Sequence, residues 1–245
     1  MLSKILAKGP FLPENISLIT NPESQRQTNP EIEEIISQTW NQLETKAKAQ
    51  NQMLWNGEGL RLDDLTEHSG NLILHTSPTD YKTRTCLERN FEKVENLGMA
   101  YFSAGLAIGG FVETLDGYFI FNQRSDKSVA RNRVDFIGGV MDNVKAKDGS
   151  DLLNHNYLEL SEEINIAENL VETMSILGLL LTNYGNVIIV TYAKLKVDFK
   201  ELNDLFEQKH DQEIENLIKA SQAELAELVE KLGGYKTKAF ELLKF

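Results

Sequence analysis

Between Phe136 and Ile166 the chain carries its most constraining pattern, FIGGVMDNVKAKDGSDLLNHNYLELSEEINI. Glu159, Glu162 and Glu163 are spaced i, i+3, i+4, which on a helix places three carboxylates on one face. Like charges this close repel each other, so such a face costs stability unless a cation sits against it. Leu153, Tyr157, Leu160 and Ile164 keep the same helical period, and at about 100° per residue their stripe is centred roughly 140° from the carboxylates. One face of this helix is expected to pack into a core while another turns oxygen ligands toward a cleft. Gly138-Gly139 follows the β-like run Arg133 to Ile137, and lets backbone approach whatever the carboxylates hold. An acidic helix face alone is more often solvated surface. The glycine pair, the preceding strands and the apolar back face are what favour a metal site here.

These residues resemble a Nudix box, the pattern G-x5-E-x7-R-E-U-x-E-E-x-G-U with U aliphatic. Its second half corresponds to Leu158-Glu159-Leu160-Ser161-Glu162-Glu163-Ile164-Asn165-Ile166. Leu158 stands where the family has Arg, Asn165 where it has the late Gly, and Ile137-Gly138-Gly139 where it usually has Pro-Gly-Gly. The spacer is longer and has no glutamate between Gly139 and Leu158. In the family that Arg and the early Glu pair with each other, so losing both strands no buried charge.

The resemblance implies an α/β chain: an α/β/α sandwich with a mixed sheet over residues 96–245, preceded by a smaller α+β region over residues 1–95 that contributes to substrate recognition. It implies magnesium, with manganese as the alternative, held by Glu159 and Glu163 directly and by Glu162 directly or through water. The Gly139 carbonyl is a further ligand candidate. A second acid or base is expected from a loop after the box, with Glu213 first and Asp211 second. Glu159 or Glu213 would take the proton from water.

With 245 residues, 41% of them hydrophobic, the chain can bury a substantial core in one large domain or two small ones. Its net charge of -12 argues against sequence-independent binding of DNA or RNA, which needs a basic surface. Phosphate substrates remain open, because a bound divalent ion inverts the local field. Cys86 is the single cysteine, so no internal disulfide forms, and a small buried residue is the expected role rather than a nucleophile. No signal peptide or membrane span is apparent, which makes a reducing cytosol the expected compartment. A monomer or homodimer is expected.

Along the chain, two apolar runs around Ile5-Leu6 and Ile16 to Ile19 are expected to pair as short strands. Asn29-Pro30 opens a helix expected to reach Ala49, with Ile32, Ile35, Ile36, Trp40 and Leu43 at helical spacing. That stripe predicts a core-facing helix. A partner-binding helix is the alternative, and would leave the stripe exposed. Asn56-Gly57 marks a turn, Leu60 to Leu62 and Leu72 to Leu74 read as strands, and Thr79 to Thr85 reads as a loop. In an acidic chain, Tyr81, Lys82 and Arg84 are candidates to hold a base and a phosphate. Met99 to Val112 and Gly117 to Arg124 read as two strands joined by a turn. Arg124, Lys127, Arg131 and Arg133 then gather in one short segment, and Arg124, Arg131 and Arg133 are candidates to neutralise a diphosphate. Ser175 to Thr182 and Val187 to Leu195 read as strands, Phe199 to Gln208 as a helix, and Ser221-x-x-Glu224 as a capping box that opens another. Tyr235 to Phe245 reads as a last short helix.

The helix with its central Trp, the aromatic-Asn-Gly turn before Arg-Leu, Tyr81-Lys82, Asn90 and the atypical box together resemble the UDP-sugar diphosphatase type of Nudix protein. That implies hydrolysis of a UDP-sugar to UMP and sugar 1-phosphate, by direct attack of water, since no Ser-His-Asp or Cys-His arrangement is indicated. ADP-ribose or another nucleotide-linked diphosphate is the alternative substrate. A non-catalytic nucleotide-binding protein of Nudix fold is the alternative class, motivated by the missing box Arg and early Glu.

Overall fold

The run Ile176 to Leu181 and the run Val187 to Val190 are apolar at almost every position, the mark of strands covered on both faces. They pair antiparallel inside the larger of two sheets. The computed structural model describes residues 2–50, 53–125, 133–142, 145–209 and 214–243. In chain order the strands are β1 (Lys4–Phe11), β2 (Ile16–Thr20), β3 (Glu58–His68), β4 (Asn71–Asp80), β5 (Leu106–Glu113), β6 (Tyr118–Arg124), β7 (Val134–Asp135), β8 (Ile137–Val140), β9 (Val171–Leu181), β10 (Val187–Leu195) and β11 (Ile214–Ser221). The α-helices are α1 (Pro30–Ala49), α2 (Tyr81–Arg89), α3 (Phe91–Val94), α4 (Gly149–Ile164), α5 (Phe199–Glu207), α6 (Gln222–Leu232) and α7 (Tyr235–Leu243).

The larger sheet runs β1-β9-β10-β5-β6-β11, with β8 added against β5 and β7 against β6. Among the described residues of this sheet, only β10 and β5 pair in parallel, which makes the sheet mixed. On one face, Ile108, Ile176 and Ile189 meet Leu152 and Leu153 of α4. Val112 and Ala193 meet Leu160 and Ile164 of α4 and Leu202 of α5. On the other face, Phe111, Leu177, Leu180 and Val190 meet Leu225 and Val229 of α6 and Ala239 and Leu242 of α7. Helices on both faces of a mixed sheet give the α/β/α layering. The second sheet, β2-β4-β3, packs into the same core as α4 through Leu18, Leu60, Leu62, Leu72 and Leu74.

Helix α1 starts where its sequence says: Asn29 accepts a hydrogen bond from the Ile32 amide at 2.8 Å, with Pro30 in the first turn. Its stripe is buried, Ile36 at 4% and Trp40 at 7% exposure, against Cys86, Leu87 and Phe91 of α2 and α3. That burial removes the partner-binding alternative for this helix.

The two N-terminal runs do not pair with each other. β1 lies along β9 in the larger sheet and β2 along β4 in the smaller one. Pro13–Asn15 forms a 3₁₀ turn between them, which redirects the chain instead of closing a hairpin. Thr79 to Thr85 is not a loop: Asp80 caps α2 by accepting from the Thr83 amide at 2.7 Å. The strand expected from Met99 begins only at Leu106, after a 3₁₀ turn at Met99–Tyr101. Ile214–Ser221 adds an edge strand, β11, ahead of the capping box at Ser221 and Glu224. Among the described residues no helix is long and apolar enough to cross a membrane.

Candidate active site

Helix α4 is fixed at both ends by local chemistry. Asp148 accepts from the amides of Ser150 (2.9 Å) and Asp151 (3.1 Å) at its start. Asn165 closes it with φ 57° and ψ 34°, a left-handed conformation that Asn and Gly reach at least cost. The asparagine therefore meets the same backbone requirement as the glycine usual at this point of the motif, and its amide donates to the Leu205 carbonyl at 2.9 Å.

The glycine pair lies in β8, which α4 packs against. Gly138 faces Gly109 across the ladder, with φ of 145° and 156°. A Cβ on Gly138 would lie 2.2 Å from the Ile108 carbonyl oxygen, and one on Gly109 would lie 2.4 Å from that of Ile137. Only glycine permits this approach. A Cβ on Gly139 would lie 2.2 Å from Glu159 Oε1, so the Glu159 carboxylate fills the space a side chain would take.

The three glutamates do not converge. Glu163 is buried and Glu159 half-buried, whereas Glu162 is exposed. Glu163 Oε1 accepts from Arg124 Nη2 at 2.8 Å, and Oε2 accepts from the Gly138 amide at 2.8 Å and Asn122 Nδ2 at 3.2 Å. Burial pushes the Glu163 pKa up to about 7, against Arg124 and the Gly138 amide, with Glu159 adding to the rise. Glu159 Oε1 lies 3.3 Å from His155 Nε2, which also sits 3.1 Å from the Val140 carbonyl oxygen. Burial lowers the His155 pKa, but Glu159 and Asp142 outweigh it and the net shift is upward.

Among the described residues, no group of three or more His, Cys, Asp and Glu side chains is close enough to hold a metal ion. The donor type still fits a hard divalent cation, because the Glu159 and Glu163 carboxylates and the Gly139 backbone offer only oxygen. Three of the roughly four lone-pair positions of Glu163 are taken by donors, which leaves Glu159 the less committed of the two. The arrangement thus fits a cation held by two carboxylates, and not the three-carboxylate grip that the spacing predicts.

Beside Gly138 and Gly139 opens a cavity of about 590 Å³. It brings together five residues named from the sequence as site candidates: Tyr81, Arg84, Arg124, Arg133 and Gly139. The Arg84 guanidinium lies 5.6 Å from the Tyr81 ring centroid, and burial lowers its pKa against the pull of Glu88. Arg133 donates to the Tyr184 hydroxyl at 2.7 Å and to Asp135 at 2.9 Å. Lys82 is not among the lining residues; its amide donates to Asn56 Oδ1 at 2.7 Å. Arg131, Asp211 and Glu213 lie outside the described residues. Arg89, Asp135, Tyr184 and Tyr235 also line the cavity, and His155 supports Glu159 from α4. Arg89 becomes a candidate once Asp80 is seen as a helix cap, and His155 once its i, i+4 spacing to Glu159 is noticed. Tyr184, Asp135 and Tyr235 carry no comparable local signal. Cys86 is fully buried with its thiol pKa pushed up to about 11 by burial, as an inert residue should be.

No family model matches the chain, and no curated protein matches it. Solved structures overlap it in part, two among them as follows. The DR0079 protein of Deinococcus radiodurans is 12% identical, over 57% of this chain and 83% of its own, with a TM-score of 0.43. A bifunctional NMN adenylyltransferase/ADP ribose pyrophosphatase from Francisella tularensis is 11% identical, over 66% of this chain and 48% of its own, with a TM-score of 0.36. Likeness of this degree assigns neither family nor activity.

Proposed function

We propose that the chain hydrolyses the phosphoanhydride of a nucleoside diphosphate-linked substrate, and that a UDP-sugar, cleaved to UMP and sugar 1-phosphate, is its first candidate. The observation that carries the proposal is the meeting of two unlike surfaces at Gly138-Gly139. An arginine-lined cavity opens beside the pair, and the Glu159 and Glu163 carboxylates of α4 lie against it, Glu163 joined to the lining residue Arg124. The Nudix resemblance of the sequence supports the same chemistry. The UDP-sugar choice rests on that resemblance alone, with ADP-ribose as the runner-up.

In this mechanism Arg84, Arg124 and Arg133 bind the diphosphate oxygens, and the Tyr81 face receives a planar ring. Glu159, Glu163 and the Gly139 carbonyl would hold a magnesium ion, which when bound neutralises phosphate charge and lowers the pKa of water. A carboxylate oxygen of Glu159 takes the proton of the attacking water, with Glu213 the alternative acceptor. As the water oxygen bonds to phosphorus, the bridging P–O bond breaks and its electrons leave with the second phosphate. A panel of nucleoside diphosphate sugars and ADP-ribose, assayed with magnesium for nucleotide release, tests the proposal. Turnover of no member, or turnover undiminished by Glu163→Gln, refutes it.

The three donors that Arg124, Gly138 and Asn122 already supply to Glu163 favour one second reading, a nucleotide-binding protein without turnover. Calorimetry distinguishes them: such a protein binds UDP-glucose with magnesium and releases no UMP.

A further inference from the structure

In the cavity wall, Arg133 is joined to ionisable groups that the proposed hydrolysis leaves unused, Asp135 and Tyr235 in the lining and Lys236 behind it. Asp135, at the end of β7, accepts from Arg133 Nε at 2.9 Å through Oδ2. Its other oxygen lies 3.2 Å from Lys236 Nζ, accepts from the Phe136 amide at 3.0 Å, and accepts from the Tyr235 hydroxyl. Lys236 comes from α7 and is only 4% exposed; its ammonium is 4.5 Å from the Tyr235 ring centroid. Burial lowers the Lys236 pKa and Asp135 opposes that shift. Arg133 is drawn the other way: burial works to lower it, and Asp135, the two tyrosines and Glu88 outweigh the burial.

Two cations thus share one carboxylate in a mostly buried setting. A buried set of ions with uneven charge is costly unless a counter-ion completes it. Glu88 is the next acid, but it also faces Arg84 and accepts from Asn186 at 3.1 Å. Among the lining residues, Arg124 is answered by Glu163 of α4, while Arg84, Arg89 and Arg133, with Lys236 behind them, stand against Glu88 and Asp135, in a chain whose net charge is -12. The wall is short of negative charge where the rest of the chain has an excess.

We propose that Lys236 is a positioning residue: by drawing on the Asp135 charge from behind, it leaves Arg133 a net positive field toward the cavity, where Arg133 receives a phosphate of a diphosphate ligand. Lys236 touches no ligand and acts through Asp135. The choice of a diphosphate rests on the function proposed above; the anion seat itself rests on the cluster.

Calorimetric titration of the full chain with inorganic pyrophosphate, in metal-free buffer, tests this. Without Lys236, Asp135 turns its full charge on Arg133 and holds it from the ligand, and loss of one charge-assisted contact of this kind changes binding on the order of tenfold. Lys236→Met is therefore expected to weaken pyrophosphate about tenfold, and Arg133→Met at least as much. The double variant is expected to bind no more weakly than Arg133→Met alone. That non-additivity is what a merely structural lysine would not produce. Additive losses, unchanged affinity in Lys236→Met, or no pyrophosphate binding by the wild-type chain overturns the proposal. If Lys236→Met does not fold, Lys236→Gln runs the same cycle with the same expected loss. Turnover is scored separately: non-additive binding without hydrolysis keeps this inference and sinks the proposed reaction, and additive binding with hydrolysis does the reverse.

Discussion

Replacing Glu163 by Gln removes the most displaced carboxyl group of α4, and its effect on stability is set by pH. An ordinary glutamate titrates near 4.5, whereas Glu163 is pushed up to about 7. The folded chain therefore holds this proton more tightly than the unfolded one. The resulting stabilisation is complete below about pH 4.5 and is lost as pH rises through 7. At 1.36 kcal/mol per tenfold in proton affinity, the difference amounts to about 3 kcal/mol. The introduced glutamine cannot ionise, so the variant escapes this loss. It does leave Arg124 without the Glu163 partner, a loss set by the substitution itself and read as a constant offset between the two stability curves. Urea unfolding followed by tryptophan fluorescence, in chelator, should show the stability of Glu163→Gln relative to wild type rising by roughly 3 kcal/mol between pH 4.5 and 8. A flat difference, or one of opposite sign, would refute the claim that burial governs this carboxylate. On the reaction proposed above, the same variant should also lose turnover, which would tie the stability cost of Glu163 at neutral pH to function.

Four further outcomes follow from the geometry. At pH 8, magnesium at about 100 times its Kd should raise wild-type stability by about 2.7 kcal/mol and raise Glu163→Gln much less, as read by unfolding with and without chelator. Gly139→Ala pushes on the flexible end of Glu159, so its melting temperature should stay close to wild type while manganese binding, followed by its electron spin resonance signal, weakens. Gly109→Ala meets backbone at a φ of 156° and should destabilise by more than about 1 kcal/mol in the same unfolding assay. Trp40→Ala should cost about 3–5 kcal/mol, since it empties a site buried among Ile36 and Leu87.

What the sequence discloses depends on how local the signal is. The α4 helix, its apolar back and the glycine pair are written in short-range spacing, and they appear where that spacing puts them. The grouping of Tyr81 with Arg84 is visible as composition, but their helix reads as a loop unless Asp80 is recognised as its cap. The joining of β1 to β9 is not legible, because pairing across more than 160 residues leaves no trace in either segment. For the same reason the spacing of Glu159, Glu162 and Glu163 predicts a shared grip, whereas Arg124, supplied by β6, claims Glu163 and leaves Glu162 in solvent. Asp135 and the pair Tyr235 and Lys236 lie a hundred residues apart in the chain and meet only through the stacking of α7 on the sheet.

That last stacking sets an order on biosynthesis. α7 is the final described element to leave the ribosome, and it packs against β1, among the first. A nascent chain that has emerged only through α4 therefore has its glutamates and glycines in hand but lacks the back wall that steadies Arg133. On the anion seat proposed above, β7 and α7 must both be made before the seat is complete, so a chain that stops between them is poorly placed to hold an anion.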